Sequence, residues 1–129
     1  MKKSWWISIA AVLCCAFAFA QASYVGNWSG SWEGGGGTGR FDLKLNRDGT
    51  ALSGGVSVGS DQGDYEATFT SVAIDGNKLT ARYDYTPDPQ AEIVLSATFD
   101  GNAAKGTWGM VPKGQNTPGL EGTWTVTKK

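Results

Sequence analysis

The sequence predicts an all-β fold, a single eight-stranded antiparallel barrel of the up-and-down (meander) type. From residue 24 onward, apolar residues recur with a period of two, which is typical of strands with one buried face. No segment shows helical periodicity, and all 19 glycines follow residue 22; inside helices each would cost about 1 kcal/mol. Asp-Gly turn sequences separate the alternating runs. These observations favour short strands joined by tight turns.

Residues 1–22 are predicted to be a signal peptide. Two lysines follow the first methionine, and the stretch from Trp5 to Ala20 is almost wholly apolar. Small residues favour cleavage after Ala22, with Ala20 as the second choice. The apolar run is shorter than the roughly 20 residues of a spanning helix. We therefore expect residues 23–129 to form one domain, periplasmic or secreted, with no membrane span after processing.

Eight alternating runs predict the strands in chain order. Their inward-facing residues are Gly26, Trp28, Gly30 and Trp32; Phe41, Leu43 and Leu45; Leu52, Gly54, Val56 and Val58; Tyr65, Ala67 and Phe69, then Val72 and Ile74; Leu79, Ala81, Tyr83 and Tyr85; Ile93, Leu95, Ala97 and Phe99; Gly106, Trp108 and Met110; and Leu120, Gly122, Trp124 and Val126. The fourth run changes parity, so we expect a bulge near Thr70-Ser71 that returns both halves to the interior.

Tight turns are predicted at Asp48-Gly49, Asp75-Gly76 and Asp100-Gly101, because glycine supplies the positive φ that such turns need. An even number of antiparallel strands closes when the last strand pairs with the first, which removes exposed edges. The strand that carries Trp28 is therefore expected beside the strand that carries Trp124. The repeated Gly-x-Trp units of these strands place inward glycines beside inward indoles.

Charge and composition exclude several classes of function. The chain has 11 basic and 12 acidic residues, and two of the basic ones lie in the predicted signal peptide. The predicted domain therefore has 9 basic and 12 acidic residues, a net charge of −3. A mildly acidic domain with scattered charges has no footprint for nucleic acid or an anionic membrane. The chain has no histidine, and both cysteines lie in the predicted signal peptide. Histidine- or cysteine-based nucleophilic catalysis is excluded, and neither a cofactor nor a metal is expected.

A pair of carboxylates is a catalytic arrangement that this composition still allows, because glycosidases need only two acids. The candidates are Glu92 with Asp61 or Asp64, but Glu92 has outward parity in its strand. We interpret these acids as solvated surface groups and predict that the protein is not an enzyme. The run Gly34–Gly37 is not followed by the lysine and helix of a phosphate-binding loop, so we interpret it as a flexible loop.

The unit Gly26-Asn27-Trp28, the meander of eight strands and the glycine-rich first loop resemble the lipocalin-like (calycin-type) barrels, in particular small secreted bacterial ones. This resemblance implies an interior that carries a small apolar molecule. The segment 48–54 is similar to the segment that leads from the second to the third strand in avidin-like barrels. Because Gly30 and Gly34 stand where avidin-like proteins place asparagine and serine, biotin is not expected.

Connection lengths predict which end of the barrel binds. The longer connections, at 33–39, 59–64, 86–91 and 112–119, alternate with the Asp-Gly turns and so gather at one end, where binding usually resides. By inward parity, the predicted ligand-binding residues at this mouth are Trp32, Phe41, Tyr65, Tyr85, Met110 and Leu120. A ligand is expected to enter between the glycine loop and the loop at 112–118 and to stack on the indole at the mouth.

Two functional hypotheses follow. In the first, the domain carries one small apolar or aromatic molecule at the mouth. In the second, the barrel is filled by side chains and acts through its surface as an inhibitor, an accessory domain or an adhesion module. The interior volume distinguishes them, because a carrier needs a lined cavity that is open at one end.

Overall fold

The computed structural model describes residues 24–129, so the predicted signal peptide and its cleavage sites lie outside the described residues. Nine antiparallel strands form one curled sheet, a half-barrel, in the order β4-β3-β2-β1-β9-β8-β7-β6-β5. The strands are β1 (Gly26–Gly34), β2 (Gly37–Asp48), β3 (Ala51–Ser60), β4 (Gly63–Thr68), β5 (Ser71–Asp75), β6 (Lys78–Asp84), β7 (Ala91–Asp100), β8 (Ala103–Pro112) and β9 (Leu120–Lys128). The all-β antiparallel class is confirmed.

The strand count and the closure differ from the prediction of eight strands in a closed barrel. The predicted fourth strand is broken at Phe69-Thr70 into β4 and β5, which are the two edges of the sheet. The Phe69 N–H donates to the Gly54 carbonyl (2.9 Å), and the Thr70 N–H donates to the Arg82 carbonyl (2.8 Å). The chain thus leaves one neighbour, β3, for another, β6, within two residues, because one strand cannot follow both partners around the curl.

The predicted pairing of the first and last strands is confirmed. Strands β1 and β9 are antiparallel neighbours, and Trp32 lies opposite Trp124 in their register. The parity change is confirmed as well, because side chains from both β4 and β5 pack against the core. The chain needs a full strand break for this, rather than a bulge within one strand.

Turn geometry agrees with the prediction at one end of the sheet and corrects it at the other. Gly49, Gly76 and Gly101 have φ values of 65°, 63° and 60° in tight turns, as expected. The predicted flexible glycine loop is instead a two-residue turn, in which Gly35 and Gly36 (φ 61° and 84°) join paired strand ends. Two consecutive positive φ values match the twist of a hairpin, which is why the glycine run makes a compact turn.

A second connection is also shorter than predicted. Asp61 and Gln62 form a two-residue turn between Ser60 and Gly63, which are paired with each other. The longer connections are those at 85–90 and 113–119.

The interior is filled in its middle and at the end that carries the Asp-Gly turns, called here the closed end. Trp28 (0% exposed), Trp124 (1%) and Leu45 (0%) are among the most buried side chains. At the closed end, the Tyr24 ring stacks on Phe99 with centroids 4.1 Å apart. The Trp28 indole N–H donates to the Tyr24 carbonyl (3.0 Å), so the N-terminal residue of the described chain covers the core.

Cross-strand pairs of indole and glycine explain how large rings fit inside this narrow sheet. Three such pairs occur in neighbouring strands: Trp32 with Gly39, Trp108 with Gly122, and Trp124 with Gly106. A methyl group on Gly122 would overlap the Glu33 carbonyl oxygen and the Trp108 indole nitrogen. The absence of a side chain at 122 therefore lets the Trp108 ring pass across β9 and donate to Glu33 on β1 (3.0 Å).

Within residues 24–129, no helix has the length and apolar character needed to cross a membrane.

We expect Gly122→Ala to lower the free energy of unfolding by about 1–3 kcal/mol, because the added methyl group overpacks a position between two strands. Gly119→Ala is the matched control, since the nearest atom to a methyl group there is the Met110 carbonyl oxygen at 4.0 Å. Urea denaturation measures both values. Equal stability of the two variants would refute the packing role of the indole and glycine pairs.

Candidate functional site

A cleft of about 540 Å³ opens at the end opposite the closed end. The turns after β1 and β3 and the connection after β6 contribute to its wall. All six residues predicted for the mouth line this cleft: Trp32, Phe41, Tyr65, Tyr85, Met110 and Leu120. The structure therefore brings together in one place the side chains that inward parity selected.

The predicted residues occupy different depths of the cleft. Phe41 is 3% exposed and belongs to the core cluster, so it forms part of the floor. Leu120 is 47% exposed and lies at the rim. Trp32, Tyr65 and Tyr85 are half-buried, so parts of their rings remain accessible to a ligand.

Several lining residues were absent from the predicted set. Trp108 and Tyr83 also line the cleft, together with Val58 and Ile93. The sequence contains the signal for the first two, because they share inward parity with Met110 and Tyr85, two positions away in the chain. The lengths of the connections locate the mouth along each strand with an uncertainty of one or two residues, so inward-facing residues one step deeper in the strand were missed.

The aromatic walls consist of two perpendicular pairs of rings. Trp32 and Trp108 lie with centroids 5.8 Å apart and planes at 88°. Tyr65 and Tyr85 lie 5.3 Å apart with planes at 87°. Both are edge-to-face arrangements, in which the positive edge of one ring meets the negative face of the other.

Hydrogen bonds to the backbone hold the two indoles at the mouth in place. The Trp32 N–H donates to the Gly59 carbonyl on β3 (3.0 Å), and the Trp108 N–H donates to the Glu33 carbonyl on β1 (3.0 Å). Each ring is thereby tied to a strand beyond its immediate neighbour. Since each indole has a single N–H, these rings offer a ligand their apolar faces and edges.

A pair of tyrosines supplies the polar groups of the inner wall. The Tyr65 and Tyr83 hydroxyls lie 3.0 Å apart, and only one of them donates to the other. The accepting hydroxyl therefore keeps a proton for a further hydrogen bond. Burial raises the pKa of Tyr65 to about 12 and raises the pKa of Tyr83 well above its ordinary value. Both groups stay protonated at physiological pH.

Charged side chains in the cleft lining are all acidic. Asp61 and Asp64, from the turn after β3 and the start of β4, are the charged residues among those that line it. Asp64 also lies 4.0 Å from the Arg40 guanidinium on the outer face. Within the described part of the chain, no group of three or more histidine, cysteine, aspartate or glutamate residues is placed to hold a metal ion.

The connection at 113–119, called here the strap, lies elsewhere than predicted. Its residues do not line the cleft. Instead, Arg82 on β6 donates to the Gln115 carbonyl (3.1 Å) and to the Asn116 side chain (3.2 Å). Glu92 on β7 accepts from the Gly114 N–H (3.0 Å) and lies 3.5 Å from Arg82. These outward-facing groups hold the strap on the outside of the sheet, so it cannot form one side of the ligand entrance.

The candidate pair of catalytic carboxylates is not assembled at the cleft. Glu92 is held by Arg82 and by the strap, whereas Asp61 and Asp64 line the cleft and Glu92 does not. The Gly114 N–H, together with the Arg82 guanidinium, lowers the pKa of Glu92. These contacts give Glu92 a structural role in attaching the strap.

Comparisons with protein-family models, curated proteins and solved structures found no match to this chain. The geometry of the cleft is therefore the basis for assigning a function.

Raising the pH should test the tyrosine pair. Tyrosine in the unfolded chain ionises near pH 10, while Tyr65 in the folded protein ionises near 12. The unfolded state therefore loses its proton first, and the stabilisation present below pH 10 is lost as the pH rises toward 12. We expect the wild-type unfolding temperature to fall steeply over this range and that of Tyr65→Phe to fall less. If the unfolding temperatures of the wild type and Tyr65→Phe fall equally with pH, the raised pKa of Tyr65 is wrong.

Removing the Glu92 charge should release the strap. We expect Glu92→Gln to lower the hydrogen-exchange protection of the Gly114 N–H by roughly tenfold, since hydrogen bonds to charged groups contribute about 1.5–3 kcal/mol. The wild type should lose the same protection as the pH falls below 4.5, the ordinary pKa of glutamate. Because the pKa of Glu92 is lowered in the folded protein, the ionised carboxylate stabilises the fold above pH 4.5, and this stabilisation is lost as the carboxylate takes up a proton at lower pH.

Glu66→Gln, which changes an exposed glutamate on β4, is the control for the strap. Unchanged protection of Gly114 in Glu92→Gln would show that other contacts hold the strap.

Proposed function

We propose that the mature domain is an exported, non-enzymatic, lipocalin-like barrel that binds one small apolar or aromatic molecule at its open end. The observation that carries this proposal is the cleft of about 540 Å³ with four half-buried aromatic rings in its wall. Small-molecule sites typically have volumes of about 300–1,000 Å³ and mostly apolar linings with a few polar groups. The volume of the cleft falls in this range, and its aromatic rings and tyrosine hydroxyls are groups of the kind that line such sites.

The filled interior below the cleft defines where the ligand would lie. Leu43, Trp124 and Phe41 are at most 3% exposed, and they leave the ligand to the outer part of the sheet rather than its centre. The ligand would contact Trp32 and Tyr85 near the surface and the Tyr65–Tyr83 pair deeper in the wall. A small molecule with an aromatic or branched apolar body suits this arrangement.

The proposal treats the curled sheet as a barrel whose two edges stay together in solution. Phe69 and Thr70 bond to β3 and β6 respectively. Above this junction, the hydroxyl pair joins Tyr65 on β4 to Tyr83 on β6. These contacts support a continuous wall around the cleft without a regular ladder between β4 and β6.

A role without catalysis accords with the composition of the domain, which contains neither histidine nor cysteine after residue 22. The predicted signal peptide supports function in the periplasm or outside the cell. The filled middle of the sheet favours the alternative hypothesis of a module that acts through its outer surface. That alternative predicts no binding of a small molecule in the cleft.

Titration with the neutral apolar dye N-phenyl-1-naphthylamine tests the proposal. We expect saturable one-to-one binding, observed through dye fluorescence and quenching of tryptophan emission. Trp32→Ala and Tyr85→Ala should each weaken binding about tenfold, equal to about 1.4 kcal/mol, because each removes a ring from the wall.

Tyr24→Ala is the matched control, since it removes an aromatic ring at the closed end. Circular dichroism and thermal unfolding would establish that each variant is folded. If the folded Trp32→Ala and Tyr85→Ala variants both bind the dye like the wild type, the proposed function is wrong.

A further inference from the structure

Acidic side chains concentrate at the open end of the sheet. The segments 32–40, 57–65, 82–93 and 109–122 make up this end, and they contain seven acidic and three basic residues, a net charge of −4. The rest of residues 24–129 contains five acidic and six basic residues, a net charge of +1. The domain therefore has a strong charge asymmetry along its length, which its modest total charge conceals.

All three basic residues of the open end are already paired. Arg40 lies 3.0 Å from Asp42, Arg82 lies 3.5 Å from Glu92, and Lys113 lies 3.5 Å from Asp84. These pairs are on the outer face or the strap, and none of the three cations lines the cleft. An anionic ligand would therefore meet no compensating cation in the wall.

The wall presents features that attract a cation instead. The ring faces that the two edge-to-face pairs of the wall leave uncovered carry the negative part of the ring quadrupole, and walls of aromatic rings are suited to alkylated ammonium groups. Asp61 and Asp64 lie in the same lining and add negative charge, of which the Arg40 guanidinium, 4.0 Å from Asp64, offsets a part. Since the indole N–H groups donate to backbone carbonyls, their positive ends are turned away from a ligand.

We infer that the ligand of this cleft is a small organic cation, a molecule with a methylated ammonium or protonated amine on an apolar or aromatic body. The inference rests on the proposed function, because it specifies the charge of the molecule that the cleft binds. The rings supply contact area and attraction for the cation, and the two aspartates supply long-range attraction and exclude anions.

Three phenols of closely similar shape isolate the contribution of charge. In 4-(trimethylammonio)phenol, 4-tert-butylphenol and 4-hydroxybenzenesulfonate, the same ring carries a tetrahedral group that is positive, neutral or negative. Calorimetric titration at an ionic strength of about 10 mM keeps screening weak. We expect the cation to bind at least tenfold more tightly than the neutral compound, and the sulfonate to bind more weakly than both.

Variants connect this preference to the aspartates. Asp61→Asn should reduce the affinity for the cation about fivefold, the effect of one charge about 4 Å from another in a water-like dielectric, and should reduce the affinity for the neutral phenol much less. Asp75→Asn makes the same change at the end of β5, next to a turn at the closed end, and should affect neither affinity. Both substitutions keep a residue that turns accept, so both variants should fold.

The outcomes separate this inference from the proposed function. Equal binding of the cation and the neutral phenol, or equal effects of Asp61→Asn and Asp75→Asn, would overturn the cation inference and leave the binding role intact. Tighter binding of the sulfonate would overturn it in the opposite direction. If none of the three phenols nor the neutral dye binds, the proposed function itself fails.

Discussion

The structure depends on one packing constraint: a narrow curled sheet must accommodate several indoles on its inner face. Trp32, Trp108 and Trp124 each lie opposite a glycine on the neighbouring strand. At Gly39 and Gly122 a methyl group would meet the indole nitrogen of Trp32 or Trp108, so only a residue without a side chain leaves room for these two rings to cross the backbone. Protein interiors have almost no spare volume to absorb such an overlap. The glycine content of this chain therefore serves side-chain packing in the strands as well as the turns.

The same constraint fixes the positions of two rings in the wall of the cleft. Because Trp32 and Trp108 cross the neighbouring strands, their N–H groups reach backbone carbonyls two strands away. In the proposed function, rings held in this way would lose little conformational freedom on binding, so more of the contact energy would be available for affinity. Below them, Trp124 and Phe41 fill the sheet and supply the rigid floor on which the site depends.

Charge placement gives the two faces of the open end different roles. On the outer face, Arg82 and Glu92 hold the strap, so the charge of Arg82 is paired there, outside the cleft. On the inner face, the charged groups of the lining are Asp61 and Asp64. The strap is attached outside the sheet and away from the cleft, whose charged lining residues are acidic, and in the proposed function this arrangement favours a cationic ligand.

The sequence by itself determined the all-β class, the tight turns of the closed end and, through parity, six residues that line one cleft, because these features depend on local periodicity and on the conformational freedom of glycine. The parity change at 69–70 could also be predicted from the sequence. The strand break could not, because it depends on hydrogen bonds from Phe69 to Gly54 and from Thr70 to Arg82, which lie in strands distant in the chain. The strap and the acidic cleft lining were decided by tertiary structure for the same reason. Their partners meet only when the sheet curls, and no local pattern records which distant side chain will be close.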